Sequence, residues 1–289
     1  MSEAASAPDQ RVEPYVDPER QSYLSRRGRR DASIASLSTI VFFVLVIWAI
    51  TSAPGWPAVK EQFFSVPEFK AAFPSVLRGF WLNVKLFCVC EVFILVIALG
   101  IAMVRGLKSP LFLPFRILAA MFVDVFRGVP TLLLVFLFGF GIPALQVKGL
   151  TSSVTVWGAV ALIVSYSAYV SEVYRAGIDS VHPSQRAAAR SLGLSGLQTM
   201  RHVVLPQAIR RVFPPLLNDF VSLQKDTALV AVLGPIEALR AAQIYESLDF
   251  NSTALVAAAL LFIALTIPLA RITDHMLARE RDQQTVGIR

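Results

Sequence analysis

The chain has 289 residues and carries 27 Lys and Arg against 20 Asp and Glu, a formal net charge of +7. Hydrophobic residues make up 55% of it, charged residues 16%, and mean hydropathy is +0.60. A soluble domain carries about 25% charged residues, so this composition disfavours a soluble enzyme, a disordered protein and a disulfide-stapled secreted domain.

Residues 1–32 are polar, contain Pro8, Pro14 and Pro18, and end near the basic cluster Arg26, Arg27, Arg29 and Arg30. They read as an irregular, solvated tail, too long and too acidic at the start for a secretory signal. The uncharged run 33–52 predicts a first spanning helix, at about 20 residues per span. Pro54, Pro57, Pro67 and Pro74 then interrupt the pattern. A second span is predicted over 80–104, stopped by Arg105-Gly106-Leu107-Lys108. After a Pro-containing stretch, Arg127-Gly128-Val129-Pro130 leads into a shorter third span, 131–145. The fourth covers 154–173, the fifth 213–233 and the sixth 253–272, with a charged tail over 277–289. The expected fold is an all-α membrane protein with six transmembrane helices.

Basic residues test the orientation. Twenty fall on the side of both termini and of segments 105–128 and 174–211; five fall on the other side. Both termini are therefore expected inside the cell. The positive charge follows from membrane topology, so no nucleic-acid partner is expected. Cys88 and Cys90 lie about 200° apart on a helix and read as small apolar packing residues.

Segment 174–211 is polar and Arg-rich. Pro183 and Ser184 predict a helix start, and Gln185 to Leu192 is Ala-rich and helix-favouring. Gly193 is the expected C-terminal breaker. A second helical stretch, 196–204, is expected to stop at Pro206. A short helix lying across a membrane face suits docking to another protein, and an ordinary solvated connection fits the same spacing.

This segment resembles the EAA loop of ABC-importer permease subunits. Ala187-Ala188-Ala189, Gly193 and Val203-Val204-Leu205-Pro206 stand at the family spacing, with Ala187 in place of the family Glu and Val203 in place of its Ile. Arg127 to Pro130, Glu172 with Arg175 and Gly177, Leu205 to Ala208, and Lys225-Asp226-Thr227 match the polar amino-acid uptake branch. The likeness covers about residues 78–276. It implies a five-helix type I permease core over 75–276, an extra N-terminal helix, and a coupling helix made by Ser184, Gln185, Arg186, Ala187, Ala188, Ala189, Arg190, Leu192, Gly193 and Leu194. It also implies a separate ATPase subunit holding ATP and Mg, a second permease subunit, identical or homologous, and an extracytoplasmic amino-acid-binding protein. The setting would be the cytoplasmic membrane of a prokaryote, among membrane lipid.

Charged residues at bilayer depth are functional candidates. Asn218, Ser222, Gln224, Lys225, Asp226 and Thr227 give the fifth span a polar side suited to a substrate path or to interhelix structure. Glu91 in the second span could face that path or pair with Lys225 or Arg78 between helices. Tyr166, Tyr169, Ser165 and Ser167 read as helix-packing residues. No Gly-x4-Gly-Lys-Ser/Thr loop is present, so ATP chemistry is not expected on this chain. Gly139-x-Gly141-x-x-Ala144 lies in an apolar span with no strand before it, and Asn251-Ser252-Thr253 abuts a span. His182, His202 and His275 lack metal-ligand spacing, and no metal or other cofactor is expected. A self-contained secondary transporter or channel is the alternative. It would show matching broken helices in both halves, and the long loop has no counterpart in the first half.

Overall fold

The computed structural model describes residues 18–107 and 109–286, with side chains described over 30–107 and 109–276. The described residues are helical apart from short turns, and the chain divides into two units, Met1–Lys60 and Glu61–Arg289.

The first unit is built on α1, Pro18–Thr51. Its stretch Arg30–Thr51 is long and apolar enough to cross a bilayer, with its apolar side chains exposed. Residues 1–17 of the expected tail lie outside the described residues. Residues 18–32 are helical rather than irregular. Pro18 at the first helical position is tolerated because its missing N–H has no helical partner there, and the Arg, Gln and Leu that follow favour helix. A short helix, α2, Trp56–Phe63, follows.

In the second unit α3, Val66–Gly106, is roughly 60 Å long. That is twice the ~30 Å hydrocarbon core, so its first third extends past the apolar run. Its buried side is a narrow stripe at three- and four-residue intervals, Ala72, Val76, Gly79, Asn83, Leu86, Cys90, Ile94, Ala98 and Ala102. Small residues on that stripe let neighbouring helices approach closely.

The Pro-containing stretch after α3 is helix α4, Leu113–Gly128. Pro110 and Pro114 start helical turns instead of interrupting them. The third expected span is broken into α5, Thr131–Phe136, a π-turn, Leu137–Gly141, and α6, Ile142–Ala144. Taken together, Pro110–Gly128 and Thr131–Ala144 meet at 105°. The fourth span is α7, Val154–Asp179, the most buried of the apolar helices.

After α8, Pro183–Ser191, the chain enters α9, Gly196–Thr199. The helix was expected to stop at Pro206, and it does not. A π-turn over Met200–Val204 lets the Leu205 N–H reach the Met200 carbonyl, and α10, Leu205–Asp226, continues directly. The wider turn absorbs the ring and missing donor of Pro206. α10 also runs through Pro214 and Pro215, so the fifth span starts well before residue 213. A 3₁₀ segment, Thr227–Leu233, extends it to Gly234.

Helix α11, Ala238–Asp249, has no counterpart among the expected elements. α12, Thr253–Val286, carries the sixth span on through the charged stretch expected as a tail. Among the described residues four helices are long and apolar enough to cross a membrane, or up to six if each bent pair counts as one span.

Candidate functional site

Two regions gather the residues singled out from the sequence. The first is the loop between α7 and α10. Its helix α8 starts at Pro183, within the expected start, with His182 as the N-cap: the His182 Nδ1 accepts from the Ser184 N–H at 3.2 Å. The end is fixed by the N–H of Gly193 bonding the Arg190 carbonyl at 2.9 Å and the N–H of Leu194 bonding that of Ala189 at 3.2 Å. This double closure requires a left-handed residue, and Gly193 supplies it with φ +84°. α9 starts in a capping box made by Ser195 and Gln198.

Arginines hold this loop to the membrane helices. The Arg186 guanidinium donates to the Ile178 carbonyl at 2.6 Å, and the Arg211 guanidinium donates to the Ser180 carbonyl. Both cations thus meet the C-terminal, partly negative end of α7. Val181, Val204 and Ala208 form a small apolar core beneath the loop. Gly177 faces α10, where a Cβ would lie 2.0 Å from Val212 Cγ2.

The outer side of the loop is bare. Ser184, Gln185, Ala187, Ala188 and Arg190 are exposed, while Ala189 is buried. Leu192 and Leu197, flanking the Gly193 turn, are 82% and 80% exposed. Exposing two leucines on a water-facing loop forgoes roughly 1.5–3 kcal/mol each. Leu192, Gly193 and Leu194 lie past the end of α8, in the turn rather than the helix.

Next to the loop, Glu172 on α7 pairs with Arg105 at the end of α3 and with Arg175 one turn on, the latter at 2.9 Å. Sequence reasoning used Arg105 as a stop signal and missed it as a partner. At the other motif, Tyr169 donates to the Arg127 carbonyl at 3.1 Å and its ring lies 5.5 Å from the guanidinium.

The second region is the polar side of α10. Asn218, Ser222 and Lys225 fall at intervals of four and three residues, on one helical face, and stay exposed or half-buried. Lys225 borders a groove of about 320 Å³ whose other walls include Leu239, Leu255 and Phe262. Asp226 and Thr227 point elsewhere. Tyr166 donates to Asp226 Oδ2 at 2.8 Å, and Asn83 Nδ2 donates to Thr227 Oγ1 at 3.2 Å. Glu91 is half-buried on α3 and, among the described residues, joins no ion pair with Lys225 or Arg78.

Several participants were not anticipated. Asn83 also accepts from the Ala238 N–H at 3.1 Å, so one buried amide ties α3 to the start of the 3₁₀ segment after α10 and to α11. Glu237 is fully buried and accepts from the N–H groups of Leu239 and Arg240 at 3.0 and 2.7 Å, capping α11. One turn from Asn83, Gly79 lets the Glu237 backbone approach: a Cβ there would lie 2.6 Å from its carbonyl carbon. Gln224, read from the sequence as part of the polar side of the fifth span, is instead buried and accepts from Thr266 at 2.6 Å. A lone Asn in an apolar helix was the available signal for Asn83. The Asn251 amide donates to the Glu61 carbonyl at 2.9 Å and its Oδ1 accepts from the Thr253 N–H, which gives this side chain a capping role.

Among the described residues no group of three His, Cys, Asp or Glu side chains could hold a metal ion.

Residues 97–282 match the family described as "Binding-protein-dependent transport system inner membrane component". The chain is 36% identical over 186 residues to the "Probable glutamine ABC transporter permease protein GlnM" of Bacillus subtilis, covering 63% of this chain and 82% of that one. It is 30% identical over 206 residues to the "Probable amino-acid permease protein YxeN" of the same organism, covering 71% and 90%. Among solved structures, one described as an amino acid ABC transporter with histidines matches with a TM-score of 0.65 and 29% identity, over 71% of this chain and 94% of that one. The inward-facing MetNI methionine ABC transporter matches in fold, with a TM-score of 0.60 at 17% identity over 75% and 99%.

Proposed function

The chain belongs to the family of binding-protein-dependent transport system inner membrane components, and on that premise we propose that it forms half of the translocation path of an ATP-driven importer for polar amino acids. The single observation that carries the coupling half of this reading is the α8 loop, braced from below by Arg186 and Arg211 and bare above at Leu192 and Leu197. A separate ATPase subunit, holding ATP and Mg, covers those leucines. The brace to α7 and the continuous α9–α10 helix then carry its movement to the membrane helices. A second permease subunit, the same or homologous, completes the path, and an extracytoplasmic binding protein delivers the amino acid. The substrate class rests on the amino-acid relatives and on the exposed polar face of α10.

In this reading Asn218, Ser222 and Lys225 face the path, while Asp226 and Thr227 brace α10 against α7 and α3. Glu91 adds an acidic group at bilayer depth. Both termini and the α8 loop lie in the cytoplasm of a prokaryote, in line with the excess of basic residues on that side.

The test is ATPase activity in reconstituted vesicles, with this chain co-expressed beside its ATPase and binding protein. Glutamine, glutamate, arginine, histidine and cystine are compared. Stimulation by one of them, abolished when residues 184–196 are replaced by a neutral linker, is the expected result. Solute movement without ATP, by a chain that retains no ATPase, would overturn the reading.

A further inference from the structure

A groove of about 530 Å³ runs between α3 and α7, away from both sites described above. Its walls include Val89, Phe93 and Ile97 from α3 and Val156, Val160 and Val164 from α7. Lys85 stands at one end, and it is the one charged residue of the lining.

Depth fixes what that end means. Lys85 and Arg105 are 20 positions apart on α3, which at 1.5 Å per residue is ~30 Å, the thickness of the hydrocarbon core. Arg105 is engaged with Glu172 near the α8 loop, so Lys85 lies at the opposite edge of the apolar slab. Trp81, one turn farther out, is 60% exposed and its ring centre lies 5.9 Å from the Lys85 ammonium. A Trp at that level marks the headgroup region. From Lys85 the groove descends to Ile97, ~18 Å along the helix axis and just past the bilayer middle.

Shape and charge select the occupant. Spread over ~18 Å, the volume leaves a mean cross-section of about 30 Å², well under the ~80 Å² of a helix 10 Å across. A flexible hydrocarbon chain fits within it along its length, whereas a second copy's helix could only lie across its open side. The lone cation at headgroup depth, with no carboxylate in the lining, favours an anionic group directly above the chain. We propose that this groove holds one acyl chain of an anionic phospholipid, with its phosphate on Lys85, in the leaflet opposite the α8 loop. The site stands independently of the transport reading, because its test measures lipid retention.

The full-length chain, purified in mild detergent, is mixed with phosphatidylglycerol or phosphatidylethanolamine of identical acyl chains, and retained lipid is counted by native mass spectrometry. Phosphatidylglycerol is expected to be retained about fivefold better, one lysine's share of the attraction to anionic lipid. Lys85→Gln should equalise the two lipids, and Lys85→Arg should keep the preference. Val160→Phe, which fills the groove, should lower retention of both, with Val89→Trp as a second filling variant if the first fails to fold. Equal retention by the unaltered chain overturns the proposal, as does undiminished phosphatidylglycerol retention in Lys85→Gln. A filling variant that changes the dimer fraction but not lipid retention overturns it too, in favour of a second copy at this face.

Discussion

The Tyr166 hydroxyl lies 2.8 Å from Asp226 Oδ2, and this one contact ties the middle of α7 to the last turn of α10. Asp226 and Thr227 are neighbours on the chain and so point about 100° apart. One reaches α7, and the other receives Asn83 of α3. The point where α10 tightens into the 3₁₀ segment is therefore clamped from two sides. A hydrogen bond to a charged group is worth about 1.5–3 kcal/mol, and one between membrane helices averages nearer ~0.6. Tyr166→Phe should accordingly destabilise the protein by about 1 kcal/mol, measured by denaturant unfolding in micelles. Asp226→Asn keeps an acceptor oxygen and should cost less than half as much. If Tyr166→Phe costs nothing measurable, the phenol is not held by that oxygen.

Two glycines of α3 give opposite expectations for the same substitution. At Gly79 a Cβ would meet the Glu237 carbonyl carbon and oxygen at 2.6 and 2.7 Å, rigid backbone that cannot rotate away. Gly79→Ala should push α11 from α3 and cost about 1–3 kcal/mol, and it should weaken the Asn83 bond to the Ala238 N–H one turn away. Gly100 has nothing within 4 Å of the same atom. Gly100→Ala should be neutral or stabilising by up to ~1 kcal/mol, because it restricts the unfolded chain. Parallel unfolding curves distinguish the two, and a neutral Gly79→Ala would show that α11 is not seated on α3.

The apolar runs were legible because bilayer crossing demands an unbroken length of hydrophobic residues, and 80–104, 154–173 and 253–272 lie inside long helices, as does 33–52 but for its last residue. The loop was legible because Gly193 and the Ala run carry local chemistry. What failed was the reading of proline as a stop. Pro67 and Pro74, read as interruptions, start and lie inside α3, and Pro206, read as a stop, follows a π-turn that runs into α10. Each outcome depends on which backbone groups neighbouring turns can satisfy, and a single residue does not encode that. Helix α11 was missed because five alanines of one cluster, Ala238, Ala241, Ala242, Ala254 and Ala258, pack it with α12 against α3. Close alanine packing leaves little hydropathy signal. The polar run of α10 was visible, but its division into an open face and a clamped pair needed the positions of Tyr166 and Asn83.

Glu172 has two partners, and that redundancy makes a quantitative expectation. Its side chain is 20% exposed and that of Arg105 14%, so the pair lies between a surface bridge worth under ~1 kcal/mol and a fully buried one whose breakage costs about 3–5. Arg105→Met leaves Glu172 with Arg175 and should cost about 1 kcal/mol. Glu172→Gln strips the carboxylate from both arginines and should cost about 2. A double-mutant cycle between positions 105 and 172 should give a coupling of about 1 kcal/mol. A coupling near zero would mean that Arg175 alone holds Glu172.

The exposed tip of the α8 loop separates docking from folding. Leu192 and Leu197 touch little of their own chain, so replacing both with Ser should leave unfolding unchanged within ~0.5 kcal/mol. If an ATPase subunit covers them, the same double variant removes two desolvated anchors, a class of side chain whose truncation costs about 2 kcal/mol or more. Retention of the ATPase should then fall by more than about tenfold, and substrate-stimulated ATP hydrolysis with it. Ala187→Glu, which restores an acidic side chain at an exposed position near the helix start, should leave α8 intact or slightly more stable. Binding and hydrolysis are read together by co-purification and vesicle assays. Unchanged retention in the Leu192→Ser, Leu197→Ser variant would move the docking surface off this loop tip, while a loss of stability in it would assign the leucines to the fold instead.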